Sequence, residues 1–188
     1  MTAQFEYAAV ILAGGQGSRM GGIDKGLVVW QGRPLVDHVI DRLRAQSVVP
    51  ARIFISANRN LETYQQRTTV FSDATPGFEG PLRGVQMALR HCSWPYLLVV
   101  PCDSPRLPLT LAEKLYEKGA GLAAYAATGA TDHPLTCLLA RDCLASLEGY
   151  LASDRRRVKD WLYDLKATAV NFSDCAGFLN MNTLDLPD

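Results

Sequence analysis

Along the chain, uninterrupted apolar runs alternate with segments whose apolar positions recur at helical spacing. Tyr7–Leu12 is one such run, followed directly by glycines, and predicts a buried strand. Residues 27–30 predict a short strand ending at a Gln31-Gly32 turn, and Pro34 suits the first position of a helix. Leu35, Val36, Val39, Ile40 and Leu43 give that helix a single apolar face. Further strands are expected at 52–56, 69–71, 96–101, 122–127, 135–140 and 168–172. Helices are expected at 61–65, 82–91 and 110–118, and over 141–165 with a break near Ser153. Residues 73–81, punctuated by Pro and Gly, read as a loop, and 129–134 as a small lobe leaving the sheet.

This alternation predicts an α/β protein: a three-layer, Rossmann-like, mostly parallel sheet with helices on both faces, in one domain spanning 1–188. In open sheets of this kind ligands bind beyond the carboxyl ends of the strands. The polar residues that follow strands are therefore the first candidates for chemistry.

Composition narrows the field. The chain has 188 residues, 48% of them hydrophobic and 20% charged, which suits a folded core. Lys plus Arg and Asp plus Glu both total 19, so a basic excess of the kind that drives non-specific nucleic-acid binding is missing. No apolar stretch reaches the length of a membrane span, and residues 1–7 do not read as a secretory signal. The 5 cysteines form no Cys-x-x-Cys pair and are odd in number, which argues against zinc or a disulfide framework and for a cytoplasmic protein. Each of the five is expected to be a small buried hydrophobe.

The strongest local signal follows the first strand: Leu12-Ala13-Gly14-Gly15-Gln16-Gly17-Ser18-Arg19-Met20. Glycines there let the backbone approach a ligand, and successive exposed N–H groups make an anion-binding concavity. Arg19 and Lys25 stand just beyond to neutralise phosphate charge. The dinucleotide fingerprint fails because Met20 stands where its third glycine should be. The P-loop pattern fails because Lys25 follows Asp24 rather than glycine.

Leu12-Ala13-Gly14-Gly15, Arg19-Met20-Gly21-Gly22 and Asp24-Lys25-Gly26 together resemble the opening signature of the molybdenum cofactor guanylyltransferases (MobA-type). Ser56-Ala57-Asn58-Arg59, Gly80-Pro81-Leu82, Pro101-Cys102-Asp103-Ser104-Pro105, Asp132-His133-Pro134 and Asn180-Met181-Asn182-Thr183 extend the likeness over nearly the whole chain. The resemblance implies transfer of GMP from GTP to the phosphate of molybdopterin. Leu12, Ala13, Gly14, Gly15, Lys25, Ser56, Asn58, Asp73 and Asp103 would then bind GTP. Asp103 would be the Mg2+ ligand, with Lys25 and Arg19 stabilising charge on the leaving pyrophosphate. Asp132, His133, Arg156, Asn180 and Asn182 would face the second substrate. The family typically has asparagine where Ser56 stands, which puts a side-chain amide contact there in question.

Blander readings accompany several of these. Asp73 can be a turn former, and the run Arg155-Arg156-Arg157 can be a solvated helix face paired with Asp154 and Asp160. His38 and His91 fall on predicted helices and read as structural. The implied partners are GTP and molybdopterin, with transient contacts to proteins that carry or accept the molybdenum cofactor, and neither nucleic acid nor membrane. Two other functions fit the same glycine loop, Lys25 and Asp103: a cytidylyl- or sugar-phosphate-type nucleotidyltransferase, and a non-catalytic nucleotide-binding module.

Overall fold

The computed structural model describes residues 5–13, 24–72, 80–119 and 121–181. The central element is a seven-stranded sheet. Its strands are β1 (Tyr7–Leu12), β4 (Arg52–Ser56), β5 (Thr69–Phe71), β6 (Tyr96–Pro101), β7 (Ala123–Thr128), β8 (Thr131–Ala140) and β9 (Thr168–Asn171). A separate two-stranded ribbon, β2 (Val29–Trp30) and β3 (Arg33–Pro34), turns through Gln31 and Gly32, both at positive φ. The order across the sheet is β5-β4-β1-β6-β8-β7-β9. The β1–β4, β1–β6, β4–β5 and β7–β9 pairs are parallel, and β8 runs antiparallel to both β6 and β7.

Strand alternation assigns side chains to two faces. Tyr7, Ala9 and Ile11 join one buried cluster with Val36, Val39, Ile40 and Leu43 of α1 (Leu35–Arg44) and Leu111, Ala112 and Leu115 of α4 (Leu111–Lys118). Ala8 and Val10 join the other. It contains Leu82, Val85 and Leu89 of α3 (Pro81–His91), Leu147 and Leu151 of α5 (Cys143–Ala152), and Trp161 and Leu162 of α6 (Val158–Asp164). A short helix, α2 (Leu61–Gln65), follows β4. Helices therefore cover both faces, and no helix among the described residues is long and apolar enough to cross a membrane.

Two expectations need correction. Residues 129–134 do not form a lobe: Gly129, at φ 56°, turns β7 back into β8, and Asp132 and His133 pair with Ala127 and Ala126 inside the sheet. The register shifts between Tyr125 and Ala126, so Pro134, Leu135 and Thr136 bulge where proline lacks the N–H that a regular ladder needs. Cys92, Cys102, Cys137 and Cys143 are buried as expected, but Cys175 is exposed, because it lies in the turn between β9 and the short 3-10 helix Ala176–Phe178 rather than under a helix. All five thiols are free.

Candidate active site

The chain order places a crevice at one edge of the sheet. From β1 it moves outward through β4 to β5, then returns to the other side of β1 as β6. The two connections diverge between β1 and β6, which is where ligands enter open α/β sheets. Leu12, the last residue of β1, is in register with Ser56 of β4 and Pro101 of β6. The pairing continues past the strand ends: the Ala13 amide donates to the Ser56 carbonyl at 2.8 Å, and the Cys102 amide to that of Leu12 at 3.2 Å. Leu12, Ala13, Ser56 and Asp103 thus emerge side by side at the carboxyl edge. Asn58 follows two residues beyond the end of β4.

Lys25 opens a single 3-10 turn, Lys25–Leu27, capped by Asp24, whose side chain accepts from the Gly26 amide. From there the Lys25 Nζ reaches the Asp103 Oδ2 at 3.1 Å. The Asp103 side chain is only 9% exposed and that of Lys25 36%, so the carboxylate is the more deeply buried partner of the pair. The Asp103 loop is held from behind. Its carbonyl accepts from the Met181 amide at 2.8 Å, and the Ser104 hydroxyl donates to Asn180 Oδ1 at 2.9 Å.

Ser56, an expected nucleotide contact, is buried against α3. A Cβ added to Gly84 would fall on the Ser56 hydroxyl oxygen and within 3.3 Å of Leu12 Cδ2. The serine and the glycine therefore fit each other, and Ser56 faces the helix rather than open solvent.

The second-substrate candidates divide. The Asn180 side chain accepts from Ser104, and the adjacent Met181 amide binds the Asp103 carbonyl. His133 is close by: its ring stacks on Phe178 at 4.8 Å, and Nε2 lies 2.7 Å from the Thr128 hydroxyl. Burial beneath that ring lowers the His133 pKa, opposed by the charge on Asp132. Asp132 itself accepts from Lys159 Nζ of α6 at 2.7 Å. Arg156 is used by its own turn, donating to the Leu151 and Arg155 carbonyls at 2.9 Å each and to Asp154 at 2.8 Å. Arg155 pairs with Asp164 and lies over the Tyr150 ring, and Arg157 pairs with Asp160. Of the expected functional residues, Gly14, Gly15, Arg19, Asp73 and Asn182 lie outside the described residues. His38 and His91 are structural: one contacts the Trp30 carbonyl at 2.8 Å, and the other stacks on Phe71 at 4.6 Å.

Two neighbours of the site escaped sequence reasoning. Asn60 and Tyr64 both donate to the Asp24 carboxylate that caps the Lys25 turn. Asp24 stands inside the motif beside Lys25, but nothing in the spacing of Asn60 or Tyr64 marks them as its partners.

A model of the MobA-like NTP transferase domain matches residues 9–168. The chain belongs to this family. Among its relatives is a molybdenum cofactor guanylyltransferase of Mannheimia succiniciproducens, 46% identical over 182 residues, with 94% of each chain covered. One from Bordetella petrii is 41% identical over 187 residues, covering 95% of this chain and 94% of the relative. Among solved structures, the molybdopterin-guanine dinucleotide biosynthesis protein A of Archaeoglobus fulgidus superposes with a TM-score of 0.72 at 22% identity, over 95% of this chain and 93% of that one. A 2-C-methyl-D-erythritol 4-phosphate cytidylyltransferase of Francisella tularensis gives 0.71 at 15% identity over 96% of each. At those identities the solved structures report the shared nucleotidyltransferase fold. This MobA-like transferase keeps Lys25 and Asp103 in one crevice at its switch point.

Proposed function

We propose that the chain catalyses GMP transfer from GTP to the phosphate of molybdopterin, releasing pyrophosphate. The observation that carries the site assignment is the Lys25–Asp103 pair at the carboxyl edge between β1 and β6. Guanylyltransferase relatives matched over nearly the full chain support the choice of base and acceptor.

In the reaction a terminal phosphate oxygen of molybdopterin forms a bond to the α-phosphorus of GTP. The bond from that phosphorus to the bridging α–β oxygen breaks, and its electrons leave with pyrophosphate. The attacking phosphate is already anionic at neutral pH, with a second pKa of about 6 as in a phosphomonoester side chain, so no strong base is needed. Alignment and charge stabilisation then carry the catalysis. Lys25 meets the charge that grows on the leaving pyrophosphate, and Arg19 and the glycine-loop amides hold the triphosphate. Leu12, Ala13, the Ser56 backbone, Asn58 and Asp73 would contact the nucleotide, and Asn180 and His133 the acceptor.

A metal fits this donor set. Among the described residues no three or more His, Cys, Asp or Glu side chains cluster as metal ligands. One buried carboxylate, Asp103, suits Mg2+, which is usually held by one or two carboxylates together with substrate phosphates and water. An ion held by Asp103 would supply neutralisation of phosphate charge. Free thiols throughout suit a reducing cytoplasm.

The test is pyrophosphate release with molybdopterin-bearing acceptor, GTP or CTP, and Mg2+ present or chelated. Product from GTP and Mg2+, with little from CTP, is expected. GTP binding without product would redirect the assignment to another acceptor or to a binding module.

A further inference from the structure

The turn that carries Lys25 is anchored by a carboxylate with three donors. Asp24 Oδ1 accepts from the Gly26 amide at 3.2 Å and from the Tyr64 hydroxyl at 2.6 Å. Its Oδ2 accepts from Asn60 Nδ2 at 2.9 Å. Asn60 and Tyr64 belong to one short segment: Asn60 sits in the left-handed region at φ 51° as the N-cap of α2, and Tyr64 is the buried residue of that helix. Burial and the neighbouring Asp24 both push the Tyr64 hydroxyl pKa far up, so it stays a donor at any working pH. Above it, Gly26 has no room for a side chain, because a Cβ there would fall on the Tyr64 hydroxyl oxygen and lie 3.5 Å from Cys102 Cβ. The turn is thus wedged between Tyr64 and the residue that precedes Asp103.

Hydrogen bonds to a charged group are stronger than neutral ones, and three of them fix the orientation of a carboxylate. That carboxylate caps the turn, and the turn aims Lys25 at Asp103. We propose that Tyr64 and Asn60 are positioning residues which act through Asp24 to hold Lys25 where it meets the nucleotide phosphates. The segment bearing them begins just past Ser56 and Asn58, so occupancy at the end of β4 and the aim of Lys25 share one support. The proposal rests on the reading of Lys25 as a phosphate ligand.

A double-mutant cycle tests it. The dissociation constant of Mg-GTP, without acceptor, is measured by calorimetry for the wild type, Tyr64→Phe, Lys25→Ala and the double variant. Tyr64→Phe removes one oxygen and is expected to weaken binding about tenfold. Lys25→Ala is expected to weaken it further, and the double variant to match Lys25→Ala alone, since the tyrosine acts only through the lysine. Asn60 is exposed, so Asn60→Ala carries the same cycle if Tyr64→Phe does not fold. Additive losses, or full affinity in both Tyr64→Phe and Asn60→Ala while Lys25→Ala binds weakly, overturn the network alone. Full affinity in Lys25→Ala overturns the phosphate role of Lys25 and the network with it.

Discussion

Lys25 Nζ and Asp103 Oδ2, 78 residues apart in sequence, lie 3.1 Å from each other. The pair joins the end of the glycine loop to the end of β6 and brings together opposite charges that nucleotide and metal would both engage. Removing the carboxylate should be tolerated structurally, because Lys25 is 36% exposed and keeps water as a partner. Asp103→Ala is therefore expected to leave the circular dichroism spectrum and the unfolding midpoint nearly unchanged while lowering pyrophosphate release at least ~100-fold, as losses of electrostatic stabilisation do. Substantial turnover in that variant would remove Asp103 from the metal site.

Gly84 of α3 packs against Ser56, a proposed nucleotide contact. Gly84→Ala puts a methyl group onto the Ser56 hydroxyl, with Ser56 Cβ at 3.1 Å and Leu12 Cδ2 at 3.3 Å, so both side chains must shift to make room. The expected cost is about 1–3 kcal/mol of stability, typical of overpacking, together with a raised KM for GTP as α3 shifts from β4. Ser56→Ala in the same chain removes the oxygen at the worst contact and should recover part of both losses. Chemical denaturation and initial-rate kinetics on the three variants read this out, and a Gly84→Ala enzyme as stable as wild type would contradict the packing.

Arg156 separates a structural from a substrate role. Its guanidinium satisfies the carbonyls of Leu151 and Arg155 where α5 ends and Asp154 takes positive φ. Arg156→Ala is expected to lower stability by about 1–2 kcal/mol through those lost bonds. Its KM for the molybdopterin acceptor should change less than twofold. A large KM effect with unchanged stability would return Arg156 to the acceptor site.

His133 gives a pH signature. Its folded pKa lies below the unfolded value of about 6.5, chiefly because Phe178 and the sheet remove it from water. Between the two values the unfolded chain binds more protons, so stability rises with pH there. Its contribution is fully present above the unfolded pKa and is lost as pH falls through the folded one. Thermal unfolding from pH 7 to pH 5 should show a falling midpoint, and His133→Gln a flatter dependence.

The sheet was largely legible in the sequence because its central strands, Tyr7–Leu12 and Tyr96–Pro101, are almost wholly buried and read as continuous apolar runs, while the flanking ones are bounded by polar turns. Tyr7–Leu12, Arg52–Ser56, Thr69–Phe71 and Tyr96–Pro101 have the same limits in the structure as in the apolar pattern. β8 was only half legible: its outer half, Thr131 to His133, is polar, pairs with β7 alone and runs into the Pro134 bulge, which looks like a loop without its partner in view. In the candidate site, Lys25 and Asp103 announced themselves by following strands within a recognisable motif. The Asp24–Asn60–Tyr64 network did not, since a tyrosine on the buried side of a short helix looks the same whether its hydroxyl holds a carboxylate or merely ends in a gap. Arg156 was ambiguous for the opposite reason: three arginines in a row look alike, and only the carbonyls around each one tell them apart.

The Met181 amide that holds the Asp103 carbonyl comes from the segment following β9, the outermost strand beyond β7. The Asp103 loop is therefore held by chain that follows the strand at the sheet's far edge, and this support depends on β9 being docked. Local contacts form early and distant ones late, so recovery of turnover during refolding should trail the recovery of secondary structure. Turnover in this protein therefore works as a report of completed assembly, and a species that has built β1, β4 and β6 but not docked β9 would look folded to a spectrometer and silent to an assay.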